Sequence, residues 1–353
     1  MEGYNKTRIN AINSIIQILK GKVSKSYDTE KKNNTIFDKL LVDENKIFPV
    51  VVASNISSGK STLINALLGK ELLPSKNQVC TAKSVGILDN DKLDSFRIHM
   101  VDKEDNYEIV SRETCEKVRD YNDNNDIKEM IIEGNIKGVV NCQKALFIID
   151  TPGMNNALDN SHQEITISTL QKISEGLLLY VFDAGHLSTY DDENSLKLIN
   201  MALEKKRVKV IFIVNRMDIV DSEKENQTDM LLKLRTYLQS LGFNQPIIVP
   251  ISAMCALLIK KVLNRETLTE NDEDNFFFLY KKFKGQNNSL SNFFIGEDFE
   301  EMTIEYIVDG VKFNKKDLQN VLENSGFVKL ESLVNDLIVR SSDDLNLCVN
   351  FKK

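Results

Sequence analysis

Four stretches of the chain are apolar almost without interruption: ALFIIDTPG, LLLYVFDAG, VKVIFIVNRMD and QPIIVPISA. A fifth, IFPVVVAS, lies nearer the N-terminus. Strands apolar at nearly every position, rather than at alternate ones, are buried on both faces. Between the later runs, helical patterns occupy 161–175, 191–205 and 224–241. Strands alternating with helices predict an α/β fold, a mostly parallel sheet with helices on both faces. Weaker strand patterns, SVGILD, SFRIHMV and NYEIVS, precede the four runs, and LINALLG reads as a helix ending at Gly69. Ile9, Ile12, Ile15, Ile16 and Leu19 mark one face of an N-terminal helix over 8–19. Phe327, Leu330, Leu333, Val334, Leu337 and Ile338 mark an amphipathic C-terminal helix over 326–345. Residues 264–300 read as long loops and turns.

Composition narrows the class. At 353 residues, with 42% apolar and 27% charged residues, the chain is a soluble globular protein of one large or two ordinary domains. The five cysteines are scattered, no CxxC pair occurs and there are three histidines, so a structural zinc site is not expected and a reducing, cytoplasmic setting is. A net charge of −7 argues against a nucleic-acid partner, which needs a basic surface. No signal-peptide cleavage pattern and no apolar run of about 18 residues is seen.

Candidate chemistry begins at SNISSGKST, residues 54–62. The pattern is G-x-x-x-x-G-K-[ST] with Ser54 in the first glycine's place. The backbone of Asn55, Ile56, Ser57, Ser58, Gly59, Lys60, Ser61 and Thr62 would cradle phosphates at a helix start. Gly59 lets the chain approach closely, Lys60 reaches the β- and γ-phosphates, and Ser61 ligates Mg²⁺. A serine at 54 would cost about 1 kcal/mol if its φ had to be positive.

LFIIDTPG ends a strand in Asp150 and follows it with Gly153. A D-x-x-G turn puts a carboxylate beside Mg²⁺, through a water, and the Gly153 N–H within reach of the γ-phosphate. NRMD, residues 215–218, selects the base. Asp218 can accept from guanine N1–H and from the exocyclic amine, a pairing adenine cannot return, and such sites reject the analogue by roughly 10⁴-fold or more. Asn215 opens the motif, and Arg216, in the usual lysine's place, can cover the base with its stem and planar head. Ser252 and Ala253 of ISA follow one strand later, where the Ala253 N–H would touch the guanine oxygen. Thr81, between the loop and the DTPG strand, could close over the γ-phosphate, with its hydroxyl on Mg²⁺ and its carbonyl toward the attacking water. The metal set expected is thus Ser61, Thr81 and Asp150.

SSGKSTLINALLGKELLP, the VCTA threonine, DTPGMNN, LSTYDDENSL and NRMD together resemble, in order, the GTPase domain of the dynamin superfamily, most closely its bacterial dynamin-like and mitofusin-like branches. The resemblance covers roughly residues 45–340. It implies a P-loop GTPase fold, an N-terminal helical segment over 1–45, a dynamin-type GTPase domain over 46–325 and a neck-like helix over 326–353. The two terminal helices would then form the root of a helical neck, or else simply cover the sheet. GTP would be hydrolysed with Mg²⁺. Met154 stands where small GTPases carry a glutamine that orients water. The resemblance implies instead that Ser57, a monovalent cation (K⁺ or Na⁺) and dimerisation across the nucleotide face stabilise the charge that builds between β- and γ-phosphates. It also implies a homodimer, or a heterodimer with a related GTPase, and peripheral membrane association in remodelling, fusion or fission. Family members carry a stalk and a lipid-binding tip after the domain, and no such segment follows here before Lys353.

Two other functions fit the residues less fully. A slow GTP switch would order loops 71–83 and 153–163 around the γ-phosphate to recruit a partner. An Era-like ribosome-assembly GTPase would need a basic RNA-binding module, against the acidic balance and EDFEEMTIE. An ATPase is disfavoured by Asp218.

Overall fold

The apolar runs become the middle of a nine-stranded sheet. The computed structural model describes residues 40, 46–55, 57–74, 85–111, 118, 120–121, 124, 126–139, 144–154, 161–187, 189–220, 226–285, 289–290 and 305–341. The expected helix over 8–19 lies outside them. The strands are β1 (Ile47–Ser54), β2 (Val85–Asp89), β3 (Arg97–Asp102), β4 (Tyr107–Ser111), β5 (Ile127–Gly134), β6 (Ala145–Asp150), β7 (Glu175–Asp183), β8 (Arg207–Asn215) and β9 (Ile247–Pro250). Their order is β4-β3-β5-β2-β6-β1-β7-β8-β9. From β6 to β9 all neighbours are parallel. On the other side β2 pairs antiparallel with β6, β5 parallel with β2, and β3 and β4 close the wing antiparallel. The sheet is thus mostly parallel, with a mixed wing.

Parallel strands cannot be joined by tight turns, so helices cross over the faces. The helices are α1 (Lys60–Leu68), α2 (Ser161–Lys172), α3 (Tyr190–Leu203), α4 (Gln227–Ser240), α5 (Ala253–Leu263), α6 (Glu270–Phe283), α7 (Lys315–Asn324) and α8 (Phe327–Arg340). Helix α1 packs on α5, which also meets α6 and α7, while α2 packs on α3. Helix ends are set locally. Gly69 closes α1 in the left-handed region, as the sequence suggests. Thr189 and Asp192 form a capping box on α3. Lys206 donates to the carbonyls of Leu170, Gln171 and Ile173, closing the C-terminal end of α2 with a positive charge.

The core lies where β1, β6, β7 and β8 face these helices. Tyr180, Phe182 and Phe212 are fully buried there, with Tyr180 and Phe182 edge to face at 4.9 Å between centroids. Truncating Phe212 to alanine would cost roughly 3–5 kcal/mol.

Residues 264–300 differ from the loops expected. Thr269 and Asp272 form a second capping box, and α6 runs from it for four turns with Phe276, Leu279 and Phe283 buried at helical spacing. Phe276, Tyr280 and Phe313 make an aromatic cluster with the hairpin β10 (Glu305–Val308) and β11 (Val311–Asn314). Residues 286–288 and 291–300 lie outside the described set. The C-terminal amphipathic helix is present as α8, with Phe327, Leu330, Val334 and Ile338 buried. Glu331 pairs with Lys260 of α5, and Asn335 donates to the carbonyl of Gly138.

The parallel strands end together. In register, Val52 stands beside Asp150, Ser54 beside Val181, and Asp183 beside Asn215. The chain leaves β1 toward β6 and returns to its other side as β7, so the order reverses at β1. In open α/β sheets a ligand crevice opens at such a carboxyl end.

Candidate functional site

The loop after β1 occupies that crevice. Ser54 is the buried last residue of β1 and has no positive φ, so the strain expected of a non-glycine residue there does not arise. The left-handed positions are Ser57, at φ 66°, and Gly59, at φ 84°. Gly59 is required for two reasons. Its φ disfavours a side chain, and a Cβ would lie 2.3 Å from Asn215 Nδ2. Ser57 is exposed; Ser58 is buried and donates to the carbonyl of Asn55 at 2.6 Å. Ser61 and Thr62 are half-buried on the first turn of α1. Ile56 lies outside the described residues.

Lys60 is buried and its ammonium pairs with Asp150 Oδ1. Asp150 is wholly buried, and its Oδ2 has no hydrogen-bond partner among the described residues. A buried carboxylate oxygen without a donor is costly. It fits a cation, directly or through water, and so does the hydroxyl of Ser61 beside Lys60 in sequence. Thr81, the third expected ligand, lies outside the described residues. Thr151 laces the end of β6 to β1, its hydroxyl donating to the Val52 carbonyl at 2.8 Å. Gly153 is half-buried, and the N–H of Met154 donates to the Ser54 carbonyl at 2.9 Å, so the DTPG turn lies against the phosphate loop.

The base motif arrives from β8 and β9. Asn215 is buried and bridges three segments: Nδ2 donates to the Ser58 carbonyl, and Oδ1 accepts the Ala253 N–H, each at 3.0 Å. The Ala253 N–H expected to reach a guanine oxygen is therefore held by Asn215. Ser252 Oγ donates to Asp218 Oδ1 at 2.5 Å, and the same Oγ accepts the Cys255 N–H, capping α5. Arg216, at φ 63°, sends Nη1 to Asp183 Oδ2 at 2.7 Å, which fixes its guanidinium at the end of β7.

The three motifs thus converge on one end of the sheet. Residues 50–217 match the family model described as Dynamin family. Over that stretch, just under half of its length, the chain is similar to the dynamin family. Two solved structures similar to it come from an oligomerised bacterial dynamin pair, described as providing a mechanism for long-range sensing and tethering of membranes. They are 14% and 15% identical, with TM-scores of 0.45 and 0.44, over 96% and 97% of this chain. The chain spans 47% of the length of each. A variant of Era from Aquifex aeolicus, bound to GDP and aluminium fluoride, is 21% identical with a TM-score of 0.33, over 64% of this chain and 58% of that one. No curated protein matches. Among the described residues, no helix is long and apolar enough to cross a membrane.

Some residues that shape this domain's site carry no motif. Asn55 donates to Asp192 Oδ1, which also accepts the Tyr180 hydroxyl at 3.1 Å, while Ser195 donates to Asn55 Oδ1 at 3.3 Å. Burial, then the neighbouring Asp192, push the Tyr180 hydroxyl well above the usual tyrosine range, so it stays a donor. Asp192 and Asp183 lie in or beside strand and helix ends whose sequence reads as ordinary capping. The signal available for Asp192 was its capping-box spacing from Thr189, which points to a helix start but to no contact with the phosphate loop.

Proposed function

We propose that this domain hydrolyses GTP to GDP and phosphate. The observation that carries the reading is the placement of Lys60 and Asp150 beneath the phosphate loop, with one Asp150 oxygen lacking a donor, while the Asp218–Ser252 pair stands at the ends of β8 and β9 of the same sheet. Lys60 would turn from Asp150 to the β- and γ-phosphates. Ser61 and Asp150, with Thr81, would hold Mg²⁺, which supplies positive charge to the phosphate oxygens. Asp218 would read guanine, and the Gly153 N–H would meet the γ-phosphate. Asn215 holds the phosphate loop and the base loops at a fixed separation.

Ser57, left-handed and exposed on the loop, would act at the bridging oxygen with K⁺ or Na⁺ in a dimer formed across the nucleotide face. The partner is a second copy or a related GTPase, and the work is membrane remodelling, fusion or fission at a peripheral site. Residues 1–45 and 326–353 would serve as the root of a neck. The test is GTP turnover against protein concentration, in potassium and then without potassium or sodium, with Ser57→Ala alongside. A specific rate that rises with concentration and collapses without the cation or the serine supports the reading. A flat rate indifferent to both overturns the dimer and cation parts.

One observation favours a slow switch instead. Met154, the residue after the D-x-x-G turn, is buried, and its side chain cannot orient water. Tight GTP binding with a low, concentration-independent rate would decide for that reading.

A further inference from the structure

The loops that carry Asp218 and Ser252 are held from outside by elements that belong to none of the motifs. Lys282, half-buried on α6, donates through Nζ to the carbonyl of Asp218 at 2.5 Å and to that of Val220 at 3.1 Å. The carbonyl of Ser325, in the turn between α7 and α8, accepts the Ser252 N–H at 3.0 Å. Gly326, at φ 77°, lies so close to Pro250 that a Cβ would stand 2.2 Å from the Pro250 carbonyl oxygen. Each of these elements lies beyond β9 in sequence, and each touches the end of β9 or a loop that follows β8 or β9.

The lysine contact is the informative one. Fixing a lysine stem costs rotamer entropy and desolvates an ammonium, so two charge-assisted bonds to main-chain oxygens are needed to hold it there. Those oxygens flank Asp218–Ile219–Val220, a segment with no regular hydrogen-bond ladder of its own. Arg216, two residues earlier, is left-handed, a conformation that persists only when surrounding contacts hold it. Held at both carbonyls, the segment presents the Asp218 carboxylate to Ser252 Oγ, which donates to its Oδ1.

We propose that Lys282 is a positioning residue for base recognition. It sets the Asp218 carboxylate where both guanine donors can reach it, and it makes α6 part of the specificity apparatus. The proposal rests on the reading of the site as guanine-specific.

The test is the dissociation constant of GDP and of inosine diphosphate, which lacks the exocyclic amine, for the full chain and for Lys282→Met, Lys282→Arg and Asp218→Ala. Lys282→Met is expected to weaken GDP about tenfold and inosine diphosphate only about twofold, so that the preference for GDP shrinks. Lys282→Arg, which can also donate to two carbonyls, restores it. An unchanged preference, or equal weakening of both nucleotides, overturns the proposal, because a merely structural lysine would not act on the base alone. If Asp218→Ala leaves the preference intact, the guanine reading fails and the proposal with it. If Asp218→Ala abolishes the preference and Lys282→Met does not, the proposal alone fails. Should Lys282→Met not fold, Lys282→Gln, which is shorter and carries no charge, is read by the same ratio.

Discussion

Asn55 donates its side-chain amide to Asp192, so the second residue of the phosphate loop is moored to the first turn of α3. The mooring is partly buried and shared: Tyr180 donates to the same Asp192 oxygen, and Thr189 to the other. Asp192→Ala would remove the reciprocal half of the capping box and leave the side-chain donors of Asn55, Tyr180 and Thr189 without this acceptor. The expected loss is roughly 2–4 kcal/mol of stability, read by urea denaturation. Turnover of GTP should fall as well, because Ser57 lies two residues from the released end. A Tyr180→Phe variant, which leaves the cap and the Asn55 contact in place, should lose about 1 kcal/mol and keep its turnover.

Gly59→Ala places a methyl group on Asn215 Nδ2 at a position already left-handed. Either Asn215 swings away and releases Ser58 and Ala253, or the loop shifts. Nucleotide affinity should drop by two orders of magnitude or more, on the order of 3 kcal/mol, by isothermal titration with GDP. A change below threefold would mean the loop is not the phosphate site.

Asp218→Asn replaces an acceptor pair with one acceptor and one donor. GDP should weaken by roughly 10²-fold or more, while xanthosine diphosphate, which offers a carbonyl where guanine has its amine, should gain. Competition against a fluorescent guanine nucleotide reads both.

Tyr237 gives a pH-dependent prediction. Its hydroxyl is buried without a hydrogen-bond partner among the described residues. Burial, followed by Asp192 and Glu193, pushes its pKa from 10.0 up to about 12. The folded chain therefore holds this proton more tightly than the unfolded chain. Its contribution to stability is intact below pH 10 and is lost as pH rises toward 12. Tyr237→Phe should flatten that decline in thermal melts and, by removing an unsatisfied hydroxyl, stabilise the protein at neutral pH by up to about 1 kcal/mol.

The acid side rests on Glu133. Its carboxyl is held below the usual range first by the hydrogen bond with His99, against the opposing effect of burial, with Asn90 adding a second bond. A lowered pKa means stability present above the unfolded value of 4.5 and lost as pH falls through the folded one. Glu133→Gln should lessen that acid sensitivity, measured as the midpoint of acid unfolding.

The same glutamate explains a gap in what the sequence reveals. Strand β5, IKEMIIEG, does not stand out as an apolar run because Lys128, Glu129 and Glu133 interrupt it, yet its second half is buried. A buried charge satisfied by His99 and Asn90 looks, in one dimension, like surface. Strands β6 to β8 were legible because they lie in the sheet's middle and need no polar partner. Helix α6 was hidden because its first two turns are acidic and the run FFFLY has no alternation, and only the spacing of Thr269 and Asp272 marked its start. At the site, Lys60, Asp150, Asn215 and Asp218 were legible because each sits at a fixed offset within a short pattern. Asp192 and Lys282 were not, being 137 and 64 residues from the groups they hold. Such contacts exist only once the sheet has brought its strand ends together.

The pairing of Lys60 with Asp150 makes the domain its own counter-ion. Among the described residues Lys60 alone pairs with Asp150, so turning it to a phosphate would leave a wholly buried carboxylate without that partner. An anion that enters alone gains one ion pair and breaks another, so its net attraction is a small difference. A nucleotide that enters with a divalent cation replaces every charge it displaces. Affinity for nucleotide and for cation should therefore rise together and by the same factor, each titration steepening in the presence of the other ligand.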